Sequence, residues 1–246
     1  PLYSSAASDV YKRQALGLCD RLVVTTQPLA DLCADMIDDI RIIPNYLDNA
    51  LWDQHAPVRR ERSRPRVGWA GAQQHQGDLE LIYEVVAATA DEVDWIFFGM
   101  CPEPLRPLVH EVHEFEMGFE NYVARLAHLD LDIAIAPLEI NAFNEAKSNL
   151  RLLEYGYFGW TVICTDILPY RGLPVARVAN HAGQWIEAIR ERIHDPEAAR
   201  REGELLRATV RRHWMLEGHL DEWREALTAA AEPPRAYGGL GHLGGT

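Results

Sequence analysis

What this sequence has little of already narrows its function. No apolar run approaches the ~18 residues that a membrane-crossing helix needs, so none is expected. Basic residues are in deficit: 24 Lys plus Arg stand against 37 Asp plus Glu, a formal net charge of −13. A surface that acidic repels nucleic-acid backbones and anionic lipid heads, which removes both as principal partners. Cysteine is sparse. Cys19, Cys33, Cys101 and Cys164 are widely separated and fit no zinc or redox spacing. They read as small buried hydrophobes of a reducing compartment. His110 and His113, with Glu111 and Glu114 beside them, lack a third ligand at a metal-site spacing. Neither a metal nor another cofactor is expected. No secretory leader pattern is visible either.

What is present is an ordinary globular balance. Hydrophobic residues make up 48% of the 246 and charged residues 25%, enough to build a core. The opening PLYSSAASDVYKRQ, Pro1 to Gln14, has no useful periodicity. It resembles a translated sequencing-adapter string of the kind found at broken ends of metagenomic assemblies. It is read as an artefact or a disordered leader and left out of the fold. From Ala15 short β-branched runs alternate with helical patterns. Strands are predicted over 21–26, 40–43, 67–70, 95–98, 131–136, 161–164 and 175–178. Helices are predicted from Pro28, from the loop at 71–77 to about Ala90, over 119–128, and over 148–158. From Ala182 to about Ala231 the chain reads as charged helix, with Trp185, Trp214 and Trp223 as packing anchors. That alternation implies an α/β fold, a parallel sheet with helices on both faces. The domain reading is residues 15–53 as the end of one domain and 54–65 as a linker. A Rossmann-like domain with terminal helices follows over 66–231, and a flexible tail over 232–246.

In such sheets ligands bind where carboxyl ends of strands meet helix N-termini. Two segments fit. GWAGAQQHQGDL, Gly68 to Leu79, is a strand, a Gly-containing loop and a helix. Gly71 lets backbone approach a ligand, and His75 is placed to meet a phosphate. FNEAKSNLRLLEYG, Phe143 to Gly156, follows the strand ending at Pro137. Ser148 is expected as N-cap, so that free amides, the helix dipole and Lys147 form a diphosphate cradle with Asn149 and Arg151. Lys147, Arg151 and Glu154 share one helix face, whose simplest alternative role is solvation with an i,i+3 Arg–Glu pair.

The order of these segments resembles the C-terminal domain of retaining family-4 glycosyltransferases, of the two-Rossmann-domain (GT-B) class. The likeness runs through IIPN (Ile42 to Asn45), Gly68 to Gly71, WIFFG, DIAIAPL and LLEYGYFGWTVICTDI. KSNLRLLEYG is especially like a branch found in cell-surface polysaccharide synthesis. The resemblance covers about Cys19 to Ala230 and is specific at Lys147 to Gly156. It implies a nucleotide diphosphate sugar as donor, a saccharide or other hydroxyl acceptor, and a preceding N-terminal domain of which this chain carries only the end. It implies a cytoplasmic location, at most peripheral to the inner membrane face. Glu154 becomes the second glutamate of the family's pair, accepting from the donor's ribose diol. The first normally stands eight positions earlier, where this chain has Ala146, with Glu145 one residue further away. Many relatives also carry Arg and Lys in the first loop, where this chain has Ala72 and Gln73. Three alternatives to an active transferase remain: a non-catalytic donor-binding domain of a larger assembly, another nucleotide-diphosphate enzyme such as an epimerase, and a flavodoxin-like signalling domain. The last lacks the acidic cluster it needs.

Overall fold

The computed structural model describes residues 13–72, 75–115 and 118–230. The proposed leader through residue 12 and the tail from residue 232 lie outside them. Arg13, counted with that leader, is a described residue and pairs with Asp35 at 2.5 Å. The chain divides into two compact units, split after Pro44, with the residues from Asp221 onward joining the first unit.

In the first unit β1 (Leu22–Val24) and β2 (Ile40–Ile42) pair in parallel, Leu22 opposite Ile40. Between them runs α1 (Gln27–Cys33), opened by Thr26, whose hydroxyl accepts from the Leu29 amide, and by Pro28 in its first turn. Asp39 is buried because two arginines neutralise it, Arg21 at 2.6 Å and Arg41 at 2.8 Å.

The second unit, Asn45–Leu220, holds a six-stranded sheet in the order β5-β4-β3-β6-β7-β8, every pairing parallel. Its strands are β3 (Arg66–Ala70), β4 (Asp94–Gly99), β5 (Glu111–Glu114), β6 (Ile133–Ala136), β7 (Thr161–Thr165) and β8 (Ala176–Val178). Strand periodicity builds two cores. Trp69, Trp95, Phe97, Ile135 and Ile163 fall on one face, Ala70, Ile96, Phe98, Ala134 and Cys164 on the other. Burial on both faces is what made these strands read as continuous apolar runs.

The helices include α2 (Asn49–Trp52), α3 (Gln76–Glu80), α4 (Tyr83–Thr89), α5 (Phe119–Ala127), α6 (Ala142–Glu145), α7 (Leu150–Tyr157), α8 (Ala182–His194), α9 (Pro196–His213) and α10 (Leu220–Thr228). The chain winds outward in both directions from the β3–β6 junction, so the carboxyl ends of those two strands form the topological switch point.

Several expectations need correction. The 54–65 stretch lies inside the second unit, where its arginines donate to carbonyls of the segments that lead into β4, β6 and β7. Arg59 donates to the Leu131 and Gly159 carbonyls at 2.7 and 3.2 Å, and Arg64 to those of Ala90 and Val93 at 2.6 and 2.8 Å. These side chains help line a cavity of about 600 Å³ at the amino ends of β3, β6 and β7. Residues 110–113, read only as surface histidines, belong in part to β5: His113 is 3.0 Å from Glu111, which also takes both terminal nitrogens of Arg66 at 2.6 and 2.9 Å. The helix expected to reach Ala90 unbroken is two, α3 and α4. Cys101 and Cys164 are buried as expected, but Cys19 is exposed and Cys33 half-buried. Among the tryptophans Trp185 is fully buried, and Trp214 packs against the core from its edge. Among the described residues no helix is long and apolar enough to cross a membrane, and no group of His, Cys, Asp and Glu is disposed to hold a metal.

Candidate functional site

Beyond Ala70 the chain turns at Gly71, whose amide returns to the Phe98 carbonyl at 2.9 Å. A Cβ on Gly71 would stand 2.5 Å from the Trp69 ring and 2.9 Å from an Arg151 nitrogen. Glycine is therefore required because a side chain and a cation already occupy the space. The Tyr155 hydroxyl pins the strand end, accepting from the Ala70 amide at 2.9 Å.

Across the switch point the two sequence segments meet at Asp78. Its Oδ2 lies 2.7 Å from His75 Nδ1 and 3.8 Å from Lys147 Nζ. Its Oδ1 accepts from the Glu139 amide at 2.8 Å and from Asn144 Nδ2 at 3.1 Å. The other imidazole nitrogen, Nε2, is 3.0 Å from Arg151 Nη2, and the guanidinium lies over Trp69, 5.2 Å from the ring centre. Lys147 in turn lies 5.1 Å from the exposed Phe143 ring. The Arg151 Nη1 has no contact with solvent and makes no hydrogen bond of good geometry among the described residues, although the guanidinium stands near enough to the buried Tyr155 hydroxyl to interact with it. An N–H of a cation left in that condition costs free energy unless something accepts from it.

Charge and burial tune these groups. The Asp78 hydrogen bond pulls the His75 pKa up, but burial and the cations Arg151 and Lys147 outweigh it, and the net shift is down. Burial likewise lowers the Lys147 ammonium, against the attraction of Asp78. Glu154 lies one turn along α7 from Arg151. Burial pushes its carboxyl up to about 7, against a 2.8 Å hydrogen bond from the Tyr122 hydroxyl and the pull of Arg151.

Of the residues singled out in the sequence, Gly71, His75, Lys147 and Arg151 come together here. Glu154 is buried, so the solvated-face alternative for it is overturned: α7 is enclosed from Leu152 to Tyr157. Arg151 turns to His75 and Trp69, and no hydrogen bond or ion pair joins it to Glu154. Ser148 is not the N-cap. Asn149 holds that position, without a side-chain cap bond, but the Ser148 hydroxyl does accept from the first-turn Leu150 amide at 3.4 Å, besides Asn45 Nδ2 at 2.7 Å. Glu145 is exposed at the end of α6, while Ala146 beside it is buried. Sequence reading missed Asp78, Asn144 and Tyr122. For Asp78 a signal existed: an acid three residues after His75 in the first turn of a helix.

No protein-family model matches the chain, and no curated protein does. Solved structures do. The HepE protein of Anabaena, in complex with UDP-glucose, is 12% identical with a TM-score of 0.69, over 93% of this chain and 69% of that one. The sucrose-phosphate synthase of Thermosynechococcus elongatus is 16% identical with a TM-score of 0.66, over 93% of this chain and 63% of that one. TarM gives 12% identity and a TM-score of 0.65, over 93% of this chain and 48% of that one. The chain thus spans 48% to 69% of the length of these structures. It has the Rossmann-like α/β fold of the GT-B glycosyltransferases.

Proposed function

We propose that this chain is the C-terminal, donor-binding part of a glycosyltransferase that takes a sugar from a nucleotide diphosphate donor to a saccharide or other hydroxyl acceptor, in cell-surface polysaccharide synthesis. The observation that carries the reading is the convergence of Arg151, Lys147 and His75 at the switch point, where one carboxylate, Asp78, faces two fixed cations. A diphosphate oxygen becomes an acceptor for the guanidinium once the half-buried Arg151 side chain turns toward the crevice. Lys147 adds a second charge on the same side, and the first turn of α7 adds the positive end of its dipole. Together these groups stabilise the departing diphosphate, the electrostatic part of the transfer. Glu154, a turn away, accepts from the ribose diol. The acceptor is held by the N-terminal domain of the intact protein, so this chain alone binds donor without turnover. HepE, of the same fold, binds UDP-glucose, which makes UDP-sugars the first donors to try.

Calorimetric titration with UDP, GDP and the matching nucleosides tests the reading. One diphosphate is expected to bind at least about tenfold more tightly than its nucleoside. Equal affinity for the pair, or no binding of either diphosphate, overturns it.

A second reading, a donor-binding domain without catalysis, is favoured by one observation: a buried methyl, Ala146, stands where the family's sugar-contacting carboxylate is expected, and Glu145 points to solvent. Transfer of labelled sugar by the chain rejoined to an N-terminal domain decides between the two.

A further inference from the structure

The first loop lacks the lysine and arginine that would neutralise a diphosphate, and the fixed cations left at the crevice are Lys147 and Arg151. The third basic group is His75, and its hydrogen bonds define its present state. A guanidinium only donates, so Nε2, 3.0 Å from Arg151 Nη2, is the accepting, proton-free nitrogen. Nδ1 then carries the ring's single proton and donates to Asp78 Oδ2 at 2.7 Å. The ring is neutral and its tautomer is fixed from both sides.

We infer that His75 takes up one proton when a diphosphate enters the crevice, and so becomes the third cation of the site. The inference rests on the donor-site reading above and assigns the imidazole a role within it. Arg151 Nη2 spends a hydrogen on His75 only while no better acceptor is present. A phosphate oxygen is a better one, because it is charged. Once the guanidinium turns to phosphate, the Nε2 lone pair is released, takes a proton from solvent, and donates it to the same anion. Asp78 stays beneath Nδ1, so the imidazolium has a negative partner on each side.

The charged groups around the ring make this change conditional on the ligand. On its own segment stands Asp78. From α7 comes Arg151, from the turn before α7 comes Lys147, and from the loop after β6 comes Glu139, whose carboxylate lies 3.1 Å from where a Cβ on Gly77 would be. With the crevice empty the two cations hold the imidazole pKa down despite Asp78. The diphosphate of a nucleotide sugar brings two negative charges that cancel them. Asp78 is a positioning residue in this scheme: it fixes which nitrogen faces the ligand, and it also ties the loop after β6 to the same carboxylate through the Glu139 amide.

The test uses UDP-glucose and GDP-mannose, whose diphosphate diesters have no proton of their own to exchange near neutral pH. Each is titrated into the whole chain slightly above neutral pH in buffers of different ionisation enthalpy, and the slope of the observed heat gives the protons exchanged. Glu154 works in the opposite sense, because a ribose diol favours its ionised form and drives a proton off. The informative quantity is therefore the wild-type uptake minus that of His75→Gln, expected to approach one proton. Over the window where His75 changes state, wild-type affinity rises by up to about tenfold per pH unit lost, relative to the variant. Nitrogen NMR of the wild-type protein reads the same event without a substitution: one of the ten histidines moves from the Nδ1–H tautomer to the doubly protonated ring on adding donor. Binding with equal proton exchange in wild type and variant, or an imidazole that stays neutral in the complex, overturns the proton uptake and leaves the donor site standing. Failure of both sugars to bind overturns the donor-site reading, and the inference with it.

Discussion

Two arginines stand at opposite ends of β3, and they differ in what they have left to give. Arg66, at the amino end, is spent. Its Nε and Nη2 meet the Leu129 carbonyl at 3.2 and 2.9 Å, and its Nη1 and Nη2 meet both oxygens of Glu111. Arg151, packed against the carboxyl end, keeps a buried Nη1 that makes no hydrogen bond of good geometry. The carboxylates beside them differ in the same sense. The Arg66 hydrogen bonds hold the Glu111 carboxyl down at about 2, against some burial. Burial holds Glu154 up at about 7. A count of arginines, or the size of a cavity, would place the site at the amino end. We place the proposed donor site at the other end, on charge pairing: the Arg64 Nε at the amino end also lacks a hydrogen bond but is 3.3 Å from the Asp94 carboxylate, whereas Arg151 forms no ion pair among the described residues.

The strongest way to break this contrast is Arg151→Met. If a phosphate takes two charge-assisted bonds from the guanidinium, each contributing about 1.5–3 kcal/mol, affinity for UDP falls roughly a hundredfold to ten-thousandfold. The unfolding midpoint is expected to hold or rise, because an incompletely paired, half-buried cation is removed. A protein that keeps UDP but melts lower would make Arg151 another Arg66.

Next in size is Glu154→Gln. A carboxyl whose folded pKa is raised from 4.5 to about 7 favours folding fully only below pH 4.5, and that contribution is lost as pH rises through about 7. Gln carries no charge, so above neutral pH the variant is expected to be more stable by about 3 kcal/mol, with the difference vanishing in acid. Donor affinity moves the other way, down by about tenfold, as one acceptor and its charge are lost. Denaturant melts at pH values on either side of neutral, beside a donor titration, read both effects. An unchanged or lower stability in alkali would mean that the carboxylate is already solvated.

Arg66→Met sharpens the comparison from the amino end. It leaves the Leu129 carbonyl and the Glu111 carboxylate without their partner, at a cost of about 2 kcal/mol, while UDP affinity stays as it was. Glu111 also carries an acid signature opposite in sign to that of Glu154: its depressed pKa contributes stability above pH 4.5 that is lost as pH falls through about 2. In Arg66→Met that acid-sensitive step is expected to shrink. A full-sized step in the variant would show that His113, 3.0 Å from the same carboxylate, carries it instead.

How far the sequence announced all this differs between the same two ends. The central strands were legible because burial on both faces leaves unbroken apolar runs such as IAIA and TVICT. β5 was not, because EVHE is an edge strand whose polar side chains answer to Arg66 across the sheet. Lys147, Arg151 and Glu154 were legible as a helix face, but their burial was not. Periodicity marks the face a helix turns to the sheet, whereas α7 is also covered by α9, with Gly156 seated tightly against Leu206 and Val210. Asp78 was hidden for a related reason. Its partners Glu139 and Asn144 lie 61 and 66 residues away along the chain, and only the switch-point topology brings them together.

The smallest expected effect belongs to Lys147, and it separates two half-buried cations of which only Arg151 has a nitrogen sealed from solvent. Its side chain keeps 26% of its exposure, and its nearest carboxylate, Asp78, is 3.8 Å away. Both facts favour a modest role: solvent screens what a partly hydrated ammonium offers a phosphate, more than it screens a guanidinium with one nitrogen sealed from water. Lys147→Ala is therefore expected to weaken UDP binding by no more than about tenfold, which corresponds to 1.4 kcal/mol, and to leave nucleoside binding unchanged. Its contribution, unlike that of Arg151, is expected to fade as salt is raised, because added ions screen an exposed charge first. UDP titrations of wild type, Lys147→Ala and Arg151→Met at low and high ionic strength read this directly. Wild type and Lys147→Ala should converge in high salt while Arg151→Met stays apart. If the lysine variant stays as far from wild type in salt as the arginine variant does, Lys147 is desolvated by the bound ligand and belongs with Arg151. If it weakens uridine as much as UDP, it does not face the diphosphate at all, and its place beside Asp78 and over Phe143 is that of a structural cation.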